Sequence, residues 1–193
     1  MKYVIGNWKS NQNLTESLIW IDGIHVLKPK FPPDITVILC LPFTDIAGFN
    51  HKLANLGIPI ITGAQDVSYF APGKHTGEIT ANMLSELVSY CLVGHSERRH
   101  DYNETSEMVA EKARLLLENS ITPIVCLDTP YLDEQIKELF QKNVDVSRCF
   151  FVYEPIAAIG TGRPVDPTEA NHTTNQISFL LDNVAPVLYG GSV

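Results

Sequence analysis

"YCLVGHSERRH", residues 90–100, sets an uninterrupted apolar run against two histidines, a glutamate and two arginines. The run lacks the strict polar alternation of a half-buried strand, so it reads as a strand covered on both faces, as in a parallel sheet under helices. The ionisable groups then stand at its carboxyl end. In parallel α/β folds the loops and helix N-termini at those ends converge, and ligands bind there.

The same pattern recurs along the chain. YVIGNW (3–8), ITVILCL (35–41) and IPIITGA (58–64) precede it, and ITPIVCL (121–127), RCFFVYE (148–154) and APVLYGG (185–191) follow. Between them, ETSEMVAEKARLLLEN (104–119) places Met108, Lys112, Leu115 and Leu116 near one stripe and Glu107 and Glu111 on a wetter side. That predicts a helix which Thr105 or Asn103 caps. DEQIKELFQKN (133–143) predicts another, burying Ile136, Leu139 and Phe140. PTEANHTTNQISFLLDN (167–183) predicts a third, opened by Pro167 and closed by the apolar Ile177, Leu180 and Leu181. Weaker helical patterns cover 15–27, 44–55 and 80–89. This repeating βα order points to a parallel α/β architecture. Two closures satisfy it at this level: an open doubly wound sheet, although the early part of the chain has no glycine-rich dinucleotide signature, and a barrel, which wants eight strands.

The 193 residues carry a formal net charge of -8, so no overall field draws the chain to nucleic acid or to an anionic membrane, and an anionic ligand needs a local site. Hydrophobic residues at 45% and charged ones at 19% fit a globular core. Cys40, Cys91, Cys126 and Cys149 lack CxxC spacing and lie in or beside apolar runs, which predicts buried thiols in a reducing, cytoplasmic compartment. The N-terminal run is broken by Asn7 and Lys9 and lacks a signal peptide's apolar core. No apolar stretch approaches the ~20 residues of a membrane span. The sequons at Asn13, Asn103 and Asn171 therefore read as chance matches.

The chemistry gathers where the runs end. Asn7 and Lys9 end the first; His95 and Glu97 follow the fourth; Glu154 closes the sixth before Pro155; Gly190, Gly191 and Ser192 follow the seventh. Lys9 offers a fixed positive charge, and a solvated surface lysine is the bland alternative. Glu154 stands at a buried-to-exposed transition, which raises a carboxyl toward a useful general base. His95 can give or take a proton beside a carbonyl. Glu97, Arg98 and Arg99 read either as a solvated charge run or as a network orienting the groups that meet the ligand. Gly160-Thr161-Gly162 and Gly190-Gly191-Ser192 offer backbone donors to phosphate oxygens. Residues 155–165 form a candidate flap between Pro155 and Pro164. His25, His51, His75, His100 and His172 have no partner spacing that makes a metal site, so no metal is expected.

In these motifs the chain resembles the triosephosphate isomerase family. GNWKSN (6–11), GHSERR (94–99), YEPIAAIGTG (153–162) and YGGSV (189–193) look like that family's signatures in order, and TGEITANML (76–84) looks like the segment after its interface loop. The resemblance implies a (β/α)8 TIM barrel, an eighth strand and final helix beyond Val193, and hence a single domain over 1–193 that is C-terminally incomplete. It implies a glycolytic and gluconeogenic isomerase interconverting dihydroxyacetone phosphate and glyceraldehyde 3-phosphate, with no cofactor. Glu154 would be the base, neutral His95 the electrophile and proton shuttle, Lys9 and Asn7 the stabilisers of enediolate charge, and Glu97 the supporting acid. Gly160, Gly191 and Ser192 would meet the substrate phosphate. A homodimer is implied as well, with residues Gln65 to Gly77 reaching the neighbouring subunit and Gln65 and Thr76 at the interface. The sequence departs from the family at Ala157, where a tryptophan is usual, and at Asp128-Thr129, where Gly-Glu is usual. Those departures leave an isomerase or epimerase for another phosphorylated sugar as a rival expectation, and the missing terminal barrel segment together with the 65–77 loop leaves an inactive oligomerisation module as a second.

Overall fold

ITVILCL becomes β2 (Ile35–Leu41) over its whole length. Its alternate residues divide between two apolar environments: Ile38 and Cys40 point into one core, Leu39 and Leu41 into another. The same division holds in β5 (Thr122–Leu127) and β6 (Phe150–Tyr153), where Ile124, Cys126, Phe150 and Val152 turn one way and Val125, Leu127, Phe151 and Tyr153 the other. Apolar residues on both faces explain the missing polar alternation. The computed structural model describes residues 2–155, 158 and 162–191.

β1 (Lys2–Asn7), β2, β3 (Ile60–Ala64), β4 (Tyr90–Val93), β5, β6 and β7 (Val187–Tyr189) form one sheet in sequence order. Every neighbouring pair is parallel. The sheet curls. Tyr3 on β1 packs edge-on against Phe150 on β6 at 4.6 Å between ring centroids, and strands so far apart in the order meet only if the sheet bends round on itself. The inward residues of β2, β4, β5 and β6 thus fill a half-barrel interior, while the second, larger core lies between the sheet and its helices. Among the described residues β1 and β7 do not pair with each other.

The helices are α1 (Leu14–Leu27), α2 (Phe43–Leu56), α3 (Ala81–Leu84), α4 (Ser96–Asp101), α5 (Ser106–Glu118), α6 (Leu132–Gln141) and α7 (Pro167–Leu180). Their starts follow ordinary capping chemistry. Asn13, one of the sequon asparagines, opens α1 in a reciprocal capping box with Glu16; Thr105 caps α5; Asp166 caps α7 with Pro167 at its first turn.

Four expectations need correction. Among the described residues β1 and β7 are each paired along one edge, and they are less covered than their apolar runs suggest: Val4 is 55% exposed and β7 is half-buried throughout. In α5 the buried stripe is centred on Val109, Ala113 and Leu116, and Met108 is only half-buried. Lys112 is buried there because its Nζ donates to Asp66 Oδ1 at 2.6 Å and Glu104 Oε2 at 2.9 Å. Phe140 on α6 is exposed, since Ile136 and Leu139 already take the inward face. The segment 80–89 yields only the short α3, and α4 arises where no helix was expected.

Candidate active site

A cleft of about 430 Å³ opens at the carboxyl ends of the strands, between the β1 and β7 edges. Asn7, Lys9, His95, Glu154, Gly190 and Gly191 line its mouth, and Tyr3, Ile5, Leu92, Val152 and Leu188 form an apolar floor. Residues from the ends of four different strands therefore share one cavity, as the strand-end reading required. Gly160 and Ser192, the other two phosphate-contact candidates, lie outside the described residues, as does Ala157.

Each side chain is aimed by its own local device. Lys9 adopts φ +53°, a region that non-glycine residues seldom occupy. Two hydrogen bonds hold it there: the Lys9 N–H donates to Asn7 Oδ1 at 2.9 Å, and Gln65 Nε2 donates to the Lys9 carbonyl at 2.8 Å. Gln65 also donates to the Cys40 carbonyl at 3.1 Å. Its amide thus works inside its own chain as a support beneath Lys9, a role the sequence did not show. Thr76, the companion interface candidate, is exposed on the loop after β3.

His95 caps α4. The Glu97 main-chain N–H donates to His95 Nδ1 at 3.2 Å, so that nitrogen is the acceptor and the neutral ring carries its proton on Nε2. Nε2 faces Glu154 Oε2 at 3.7 Å. Glu97 itself turns outward and pairs with Lys9, Nζ to Oε1 at 2.5 Å.

Glu154 leaves β6 with its main-chain N–H donating to the Leu127 carbonyl at 2.8 Å. Its carboxylate is largely enclosed, and Oε2 has no hydrogen-bond partner among the described residues. Burial pushes its carboxyl above the ordinary glutamate range, against the opposing pull of His95, a hydrogen bond with Cys126 and the charge of Lys9. Cys126 therefore stands at the site, whereas its sequence context showed only a buried thiol. The Gly190 backbone lies so close that a Cβ there would meet Val152 Cγ1 at 2.6 Å and Glu154 Cγ at 2.9 Å. A side chain at 190 would displace the carboxylate.

Below the mouth, Arg98 and Arg99 are part of a network and not a solvated run. Arg98 Nε bonds Asp66 Oδ2 at 2.8 Å and Glu104 Oε2 at 2.7 Å, and the Gly94 N–H donates to Glu104 Oε1 at 3.2 Å. These contacts tie the turn before His95 to the segment just ahead of α5 and to the segment after β3. Chemically, the mouth presents one enclosed carboxylate of raised basicity, one imidazole N–H facing it and one ammonium nearby. Such a set can remove a proton beside a carbonyl and stabilise the oxyanion that results.

The triosephosphate isomerase family model matches residues 2–193. The triosephosphate isomerase of Corynebacterium glutamicum is 34% identical over 98% of this chain and 82% of its own length. Those of Synechocystis sp. and Trichormus variabilis are 36% and 37% identical, each over 98% of this chain and 83% of its own length. The seven-stranded parallel half-barrel and the strand-end cleft agree with those matches, and the chain belongs to the triosephosphate isomerase family.

Proposed function

We propose that the cleft interconverts dihydroxyacetone phosphate and glyceraldehyde 3-phosphate by moving one proton between adjacent carbons. The observation that carries this reading is the enclosed Glu154 Oε2, without a hydrogen-bond partner among the described residues, facing His95 Nε2 at 3.7 Å. Glu154 takes a proton from the hydroxymethyl carbon, and the electron pair moves onto the neighbouring carbonyl oxygen to give an enediolate. The His95 Nε2–H gives its proton to that former carbonyl oxygen, and the same ring nitrogen then takes the hydroxyl proton from the oxygen on the neighbouring carbon, so the imidazole ends as it began. Lys9 and Asn7 favour the negative charge as it develops, which lowers the barrier because the interaction strengthens after the ground state. Glu154, now a carboxylic acid, returns the proton to the former carbonyl carbon. Glu97 holds Lys9 before the ligand arrives.

The phosphate is received by the glycine backbone at 191 together with Gly160 and Ser192. The scheme calls on no metal or organic cofactor. The chain acts as a single domain over 1–193, in the cytoplasm, where the free, buried Cys40, Cys91, Cys126 and Cys149 stay reduced. Among the described residues no helix is long and apolar enough to cross a membrane. A second copy covers the exposed loop at residues 71–78, where Phe70 stacks on His75 at 3.9 Å between ring centroids, so that Thr76 and Gln65 lie along a homodimer interface.

The test is a steady-state assay against both triose phosphates and a panel of larger phosphorylated aldoses and ketoses. Turnover confined to the trioses is expected. Turnover only of a larger sugar, or association of the chain with no binding of a phosphorylated enediolate analogue, would overturn the reading.

A further inference from the structure

Arg99 is a guanidinium that the proton-transfer scheme does not use. It follows Arg98 on α4, yet the two have different surroundings. Arg98 pairs with the carboxylates of Asp66 and Glu104, whereas Arg99 makes no ion pair among the described residues. Its partners are neutral. Nε donates to the Gly94 carbonyl at 2.9 Å, Nη2 to Gln135 Oε1 at 2.5 Å and Nη1 to Ser106 Oγ at 3.4 Å, and the plane lies 4.0 Å from the centre of the Tyr131 ring. Enclosing a cation with no carboxylate in contact is costly, and burial lowers the pKa of Arg99 against the weaker opposing pull of groups that include Tyr131, Glu104 and Glu134. What the site gains is geometry: donors on three separated nitrogens of a rigid planar fork reach three acceptors spread around it, a span that the single nitrogen of an ammonium does not cover.

The first of those acceptors matters most. Gly94 has φ +70°, and a Cβ there would strike Arg99 Nη2 at 2.7 Å and Val109 at 3.0 Å. Its carbonyl is held by Arg99 and its N–H by Glu104, so the residue immediately before His95 is gripped on both sides. Rotation of that backbone would swing the imidazole away from Glu154. Gln135 on α6 backs the grip: it is fully buried, and its Nε2 donates onward to the Ser106 carbonyl at 3.1 Å.

We propose that Arg99, braced by Gln135, is a positioning residue for His95, fixing the Gly94 carbonyl so that Nε2 faces Glu154. The proposal rests on the role given to His95 above. The rival is that Arg99 only joins α4 to α6.

Arg99→Gln, Arg99→Lys and Gln135→Leu separate the two, each measured for kcat, KM, melting temperature and the 15N signals of the His95 ring. Arg99→Gln should lower kcat by about 10- to 100-fold, the scale of a small misplacement at a reacting group, and leave KM within about 3-fold. Arg99→Lys should fall nearly as far, because it keeps the charge and loses the fork. Gln135→Leu, the milder change, should lose less and serves where an Arg99 variant does not fold. All should shift the His95 ring signals. A lowered melting temperature with wild-type kcat and unmoved ring signals would overturn the proposal, as would full activity in Arg99→Lys. The ring signals read position without turnover. An inactive wild type whose His95 signals still move in the variants would sink the proposed function and spare the positioning role; an active wild type with unmoved variants would do the reverse.

Discussion

The cleft has a wall and a rim, built from similar apolar sequence in different surroundings. On the wall, β4, β5 and β6 have neighbours on both sides; Ile124 and Cys126 are fully buried, and His95 and Glu154 project from that packed base. On the rim, β1 and β7 have one neighbour each among the described residues and Val4 is 55% exposed, although Asn7, Lys9, Gly190 and Gly191 come from these strands or follow them. The groups that must hold a proton-transfer geometry stand on the more deeply packed side. The cation and the glycine backbone, which hold charge over a broader range of positions, stand on the other.

That division implies a ranking. Glu154→Gln should lower kcat roughly 10³-fold, within the range a positioned general base supplies, while KM stays within a few-fold. A mutant with normal turnover would remove the wall's chemical role. Stability should split along the same line. Ile124→Ala is expected to cost about 2–5 kcal/mol in denaturant unfolding, the usual toll of an emptied core position, and Val4→Ala under about 1 kcal/mol. Equal losses would mean that rim and wall are packed alike. Lys9→Met should lower kcat/KM about 10²-fold, as for the loss of one oxyanion donor, with a melting temperature close to wild type. A large stability loss instead would make Lys9 a structural residue.

The smallest effect concerns pH. Burial raises the Glu154 carboxyl above the ordinary glutamate value of 4.5, so between that value and its own the folded chain keeps a proton that the unfolded chain has released. The stability this contributes is present below the ordinary value and is lost as pH rises through the folded one. At neutral pH the enclosed carboxylate is a burden, and Glu154→Gln should melt higher than wild type. The gap should close below about pH 4, where both states are protonated. A gap that widens on acidification would reverse the sign.

Much of this was legible in the sequence, and for identifiable reasons. Strands covered on both faces leave contiguous apolar runs, so ITVILCL was bounded to the residue, and strand ends are where polar groups break such runs, so the candidates Asn7, Lys9, His95, Glu154 and Gly191 all line one cleft. What escaped depends on distant partners. Lys112 looks like a misplaced member of an apolar stripe until Asp66 and Glu104 are brought to it, and Gln65 gives no local sign that its amide supports the Lys9 carbonyl. α4 was missed because its six residues are too few for a periodicity, and its start is marked only by a histidine accepting from Glu97. The apolar runs of β1 and β7 look like those of the wall, because exposure of a strand depends on its neighbours, which its own residues do not reveal.

Catalysis in this cleft turns on Glu154 moving a carbon-bound proton, and isotope exchange reads that step directly. The protein, as wild type and as Glu154→Gln, is incubated with dihydroxyacetone phosphate in deuterium oxide, and deuterium at the hydroxymethyl carbon is followed by proton NMR. Steady incorporation by wild type and almost none by Glu154→Gln is the predicted result; exchange at the wild-type rate in the mutant would contradict it.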